Sequence, residues 1–154
     1  MSSSTYEIIR SGDVDGLRAE LEGGLSADSY SLDSSSVSER STPLLFVACN
    51  FMNRDMVELL LQSGANPNRK AESRDFGGSE SEPCLMAAIA SKDIEIVRMM
   101  LEKGADPNIQ TRWTEETRNY VHALTLANSV GAPKIHALLV QYGAEVPMVY
   151  NPSD

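Results

Sequence analysis

A twelve-residue phrase that returns every 39 to 40 residues constrains this chain more than any other feature. Residues 57–68 read Val-Glu-Leu-Leu-Leu-Gln-Ser-Gly-Ala-Asn-Pro-Asn, and residues 97–108 read Val-Arg-Met-Met-Leu-Glu-Lys-Gly-Ala-Asp-Pro-Asn. Residues 136–147 carry a third copy, and residues 17–28 a worn one. The marker glycines are Gly24, Gly64, Gly104 and Gly143. A period of this size means that one supersecondary unit is copied, and that no copy can bury its apolar side alone.

Each copy predicts two short helices joined by a turn. Sixteen residues before the last three glycines stand Ala48, Ala88 and Ala127, with Ile8 in the first copy. An alanine there lets the first helix press closely on its neighbour, where a larger side chain would force the stack apart. Thr42-Pro43 and Glu82-Pro83 read as starts of first helices, because proline fits a first helical turn. Gly12 and Gly131 fall between the two helices. Second helices are expected from about Asp13, Arg54, Asp93 and Pro133, each ending at its marker glycine, where a left-handed backbone meets no Cβ clash. Asp13, Asp55 and Asp93 stand near positively polarised helix starts. Val57, Leu60 and Leu61 recur as Val97, Met100 and Leu101, the stripe of a helix with one buried face. Asn66-Pro67-Asn68 and Asp106-Pro107-Asn108 read as extended turns.

On these residues the sequence resembles ankyrin repeats. The supporting text is Thr42-Pro43-Leu44 through Ala48, then Met56 through Asn68, and the copies at 83–108. The resemblance implies an all-α solenoid of helix pairs with β-hairpin or loop fingers. It reads residues 1–154 as a single domain, with repeats at roughly 3–28, 41–68, 82–108 and 119–147. Ankyrin repeats usually run about 33 residues, so these units each carry six or seven more. The histidine usual after Thr-Pro-Leu is Leu45 here, so the second repeat is expected to rely more on apolar packing. The third repeat reads Glu-Pro-Cys in place of Thr-Pro-Leu, and the fourth reads Val121-His122-Ala123.

The extra residues fall in the segments that the resemblance makes fingers, roughly 29–41, 69–81 and 109–119. The first is serine-rich, with Ser34-Ser35-Ser36 and Ser38, and reads as a loose linker or a phosphorylated segment. The second holds Arg74 and Phe76 before Gly77-Gly78. The third holds Arg112 and Trp113, the only tryptophan, with Tyr120 just after it. Trp, Tyr and Arg are the types in which binding energy concentrates. Trp113 either contacts a partner or folds back on the next finger. The concave face that the family uses for binding would include Asn50, Phe51, Ala90, Ser91, Asn128 and Ser129. Phe51 is the one large apolar residue among them, either exposed or packed under a finger. Asn68 and Asn108 resemble turn asparagines that some ankyrin repeats present for hydroxylation, although Pro67 and Pro107 precede them here.

Composition narrows the function. A formal charge of −9 and a pI near 4.7 argue against nucleic acid or an anionic membrane as partner, since both want a cationic face. No apolar run is long enough to span a bilayer. The first residues, Met1 to Glu7, do not read as a secretory signal. Cys49 and Cys84 are therefore expected as buried thiols in a reducing, cytoplasmic or nuclear compartment. His122 and His136 have neither the mutual spacing nor the nearby cysteines of a zinc site, and His136 aligns with Val57 and Val97 as a core residue. Gly77-Gly78 lacks the Lys-Ser/Thr of a phosphate cradle. No catalytic residue, cofactor, metal or small-molecule substrate is expected. The reading is a non-catalytic module that binds another protein through its concave face and long fingers. The alternatives are a structural subunit of a larger assembly and the regulatory subunit of an enzyme.

Overall fold

A proline closes a strand and opens a helix in the second and third units. The computed structural model describes residues 4–32, 41–73, 80–110 and 121–146. The first helices are α1 (Thr5–Ser11), α3 (Leu44–Asn50), α5 (Cys84–Ala90) and α7 (Ala123–Ser129). The second helices are α2 (Val14–Glu22), α4 (Arg54–Gln62), α6 (Ile94–Glu102) and α8 (Pro133–Gln141). Four strands accompany them: β1 (Tyr30–Leu32), β2 (Ser41–Pro43), β3 (Lys70–Ser73) and β4 (Glu80–Pro83).

Pro43 and Pro83 stand one residue earlier than the sequence suggests. They are extended N-cap residues at the strand ends, not members of the first helical turn. A proline has no side-chain oxygen with which to cap a helix. The opposite strand supplies the acceptor: Leu44 donates its N–H to the Ser29 carbonyl at 3.1 Å, and Cys84 to that of Arg69 at 3.0 Å. The hairpin is thus continuous with the start of the inner helix.

The second helices are capped by side chains. Asp13 accepts from Gly16 N–H, Asn53 from Met56 N–H, and Asp93 from Glu95 and Ile96 N–H. Asp13 and Asp93 therefore precede these helices, where the sequence reading began them. The helices end two residues short of Gly24, Gly64, Gly104 and Gly143. Those glycines adopt φ between +93° and +108°, which reverses the chain. The following residue then donates back into the helix, as Ala65 does to the Leu60 carbonyl and Ala105 to that of Met100, both at 2.9 Å.

First helices pack in the order α1, α3, α5, α7, and second helices in the order α2, α4, α6, α8. One continuous core runs between the two rows. Ala48, Ala88 and Ala127 are fully buried in it, and Leu45 packs where the family usually places histidine. Equivalent positions turn polar in the fourth unit. Phe46 and Met86 are buried where Thr125 is exposed, and Cys49 and Ile89 are buried where Asn128 is exposed. A last repeat with nothing stacked on it needs such a polar face. Val140 departs from that rule: it is 49% exposed where Leu61 and Leu101 are buried. His136 is half-buried, whereas Val57 and Val97 at its position are fully buried.

The strands make one antiparallel sheet in the order β1-β2-β3-β4. Each hairpin pairs within itself, and Ser41 opposite Glu72 joins the two. At the base of the third finger, Gln110 bridges His122.

Candidate partner-binding surface

Asn68 and Asn108 are the side chains that lock one finger base to the next unit. The Asn68 side-chain oxygen accepts from Asp106 N–H at 2.7 Å, and its Nδ2 donates to the Gly104 carbonyl at 3.0 Å. Asn108 repeats this with Glu145 N–H at 2.8 Å and the Gly143 carbonyl at 3.1 Å. Both carboxamide atoms of each asparagine are thereby engaged. Asp28 takes the equivalent place in the first unit and accepts from Asn66 N–H at 3.1 Å. An aspartate has no N–H to donate, and Arg69 fills the difference. Its Nε and Nη2 reach Asp28 at 2.9 and 2.6 Å, its Nη1 donates to the Tyr30 hydroxyl at 2.9 Å, and its guanidinium lies over the Tyr30 ring. Burial alone would raise the Asp28 pKa. The hydrogen bonds from Arg69 and from Asn66 N–H outweigh it and hold the carboxyl below its ordinary value.

The inner-helix ends present the other part of the surface. Asn50, Ala90, Asn128 and Ser129 are exposed, and Ser91 is half-buried. Phe51 is 42% exposed and lies edge-on to Tyr6 of the first unit, with ring centroids 6.3 Å apart. It therefore projects from the stack and packs on an aromatic neighbour rather than beneath a finger. Serines at the same position behave differently. Ser11 donates to the Ile8 carbonyl at 3.0 Å and Ser91 to that of Ala88 at 2.7 Å, so each hydroxyl folds back on its own helix. The next position is glycine in the outer units, Gly12 and Gly131, with φ of +76° and +68°. In the middle units it is Met52 and Lys92, held at φ +53° and +60°. Comparing the four copies position by position would have exposed this substitution of side-chain-bearing residues for serine and glycine.

Arg74, Phe76, Arg112, Trp113 and Tyr120 lie outside the described residues. Of the residues expected to touch a partner, Asn50 and Phe51 are the ones the structure places, side by side at the end of α3. Cys49 and Cys84 are both buried free thiols. Burial pushes Cys84 up to about 12 and raises Cys49 well above its ordinary value, so neither is a nucleophile at neutral pH. Among the described residues no group of His, Cys, Asp and Glu could hold a metal ion, and no helix is long and apolar enough to cross a membrane.

Comparison with known families agrees with this architecture. The family model for ankyrin repeats matches three copies, over residues 19–111 and 45–149. No curated protein matched the sequence. Ankyrin repeats are generally non-catalytic protein–protein interaction modules. Helix pairs stacked over a continuous core, hairpins at one edge and a family match across most of the chain lead to one assignment: the chain belongs to the ankyrin-repeat family.

Proposed function

We propose that this chain is an intracellular, non-catalytic adaptor whose four repeats bind another protein through the concave face and the long fingers. The observation that carries the reading is the row of exposed inner-helix ends, Asn50, Phe51, Ala90 and Asn128, backed by a fully packed core. A rigid row of this kind meets a partner without having to be ordered first, which removes part of the entropy cost of association. Affinity then comes from a few anchors, chiefly Trp113, Arg112, Phe76, Arg74 and Tyr120 on or beside the fingers and Phe51 with Asn50 on the helices. The thiols Cys49 and Cys84, buried and unpaired, suit a reducing cytoplasm or nucleus.

The test is affinity purification of the tagged chain from cells with mass spectrometry, followed by reconstitution of the recovered pair from purified components. Wild type should retain a defined protein at micromolar concentration, and Trp113→Ala with Phe76→Ala should lose it. A chain that retains nothing overturns the reading. A double variant that keeps the same partner removes the fingers from it.

A further inference from the structure

The turns between first and second helices form a ridge away from the fingers. Turn stacks on turn there: Asn53 Nδ2 lies 3.4 Å from where a side chain on Gly12 would begin, and Arg54 reaches Asp93 at 2.7 Å in the third unit. On this ridge Phe51 is 42% and Met52 57% exposed, with the Tyr6 ring edge-on to Phe51. Two exposed apolar side chains in adjacent positions do nothing for the fold, and Met52 sits in a backbone region that L-residues avoid. Residues held in such a conformation concentrate at ligand contacts.

The charge around this apolar pair is positive, in a protein of net −9. Lys92 holds the position equivalent to Met52 in the next unit, is exposed, and makes no ion pair among the described residues. Arg10 shares the last turn of α1 with this edge and is held only by an exposed 3.4 Å contact to Glu7. The carboxylates nearby are committed elsewhere, Asp13 and Asp93 to the caps of α2 and α6, with Asp93 also taking Arg54. The uncommitted charge on the ridge is thus cationic and brackets an apolar centre.

We propose that this ridge is a second docking surface, whose occupant is a short acidic segment of a partner protein. A bulky apolar side chain of that segment seats on Phe51 and Met52 beside Tyr6, and its carboxylates face Arg10 and Lys92. The proposal rests on the reading of the chain as a protein-binding module, and adds a surface and a partner chemistry to it. It also gives Met52 and Lys92 a reason to stand where Gly12 and Gly131 would relieve the backbone.

The test is an amide NMR titration of the full ¹⁵N-labelled chain with two synthetic dodecapeptides. One carries a Leu-Phe centre flanked by glutamates, and the other the same centre flanked by lysines. The acidic peptide should shift the amides of residues 10–12, 50–54 and 90–92, and the lysine peptide should not. Phe51→Ser, which installs the residue found at 11 and 91, should weaken the acidic peptide by about tenfold. Lys92→Glu should weaken it by about three- to tenfold, less so as salt rises from about 50 to about 500 mM. Unchanged circular dichroism and melting would show that both variants fold. The proposal is overturned by no shift at about 1 mM peptide, by shifts confined to the fingers or the helix faces, or by an equal response to the lysine peptide. Anionic vesicles that shift the same amides when the acidic peptide does not would overturn it as well. If Phe51→Ser and Lys92→Glu leave the cellular partner bound, the ridge falls and the module reading stands; if wild type binds neither peptide nor partner, both fall.

Discussion

Truncating Asn68 to alanine tests whether the repeats are held in register by polar bridges as well as by the core. The substitution removes two hydrogen bonds, the 2.7 Å acceptor to Asp106 N–H and the 3.0 Å donor to the Gly104 carbonyl. Both belong to the turn of the next unit, so the loss falls on the coupling between repeats. A protein hydrogen bond contributes about 0.5–1.5 kcal/mol net. The bridge lies near the surface, and water can replace the missing partners, which puts each bond in the lower half of that range. The expected loss is about 1–2 kcal/mol for Asn68→Ala, and about the same for Asn108→Ala, which bridges Glu145 and Gly143 in the same way. The two sites share no bonding partner, so the double variant should lose about 2–4 kcal/mol. The Asx turn at 66–68 survives, because Asn68 contributes its backbone N–H to Asn66 Oδ1. Gln62→Ala is the control, since Gln62 donates only to Glu58 on its own helix, a pair worth about 0.2–0.5 kcal/mol. Urea unfolding followed by far-ultraviolet circular dichroism reads the change. Losses below about 0.3 kcal/mol at both asparagines, or a loss at Gln62 as large as theirs, would refute the claim that these side chains couple the units.

Two further outcomes follow from the same geometry. Lys92→Gly and Met52→Gly relieve left-handed backbone at exposed positions and should each stabilise the chain by about 0.5–1 kcal/mol in thermal or urea unfolding, despite the extra freedom glycine gives the unfolded chain; Met52→Gly should at the same time weaken the acidic peptide. Asp28 and Asp93 have folded pKa values below the ordinary 3.8, because Arg69 and Arg54 with backbone N–H groups outweigh burial. A depressed carboxylate pKa stabilises the fold above the unfolded value, and that contribution is lost as pH falls through the lower folded value. Stability should therefore drop below about pH 3.8, and Asp93→Asn should show a shallower drop over that window in urea midpoints measured from pH 6 to pH 2; superimposable slopes would count against the Arg54 pairing.

Where sequence reading reached and where it stopped can be traced to particular residues. The helix pairs were legible because Val57, Leu60 and Leu61 and their copies bury one face at helical spacing, a requirement internal to each unit. The marker glycines were legible because a left-handed turn is a property of one residue. Helix starts were misplaced by one residue at Pro43, Asp13 and Asp93, since capping groups have helical neighbours on one side only. The candidate surface was partly legible: Phe51 stood out as a large apolar residue, but its contact with Tyr6 did not.

From the sequence alone came the period, the alternation of a short and a longer helix, the buried alanines and the family. Each follows from constraints that act within about one turn of helix or one loop, and such constraints leave a local pattern. Tertiary structure alone decided that the first two hairpins share a sheet through Ser41 and Glu72, that Asn68 bonds Asp106, and that Arg69 completes the bridge from Asp28. These partners lie some forty residues apart and meet only after the units stack. A repeating pattern states what every copy needs, whereas the offset between stacked copies is set by packing, and that offset chooses which polar atoms face each other.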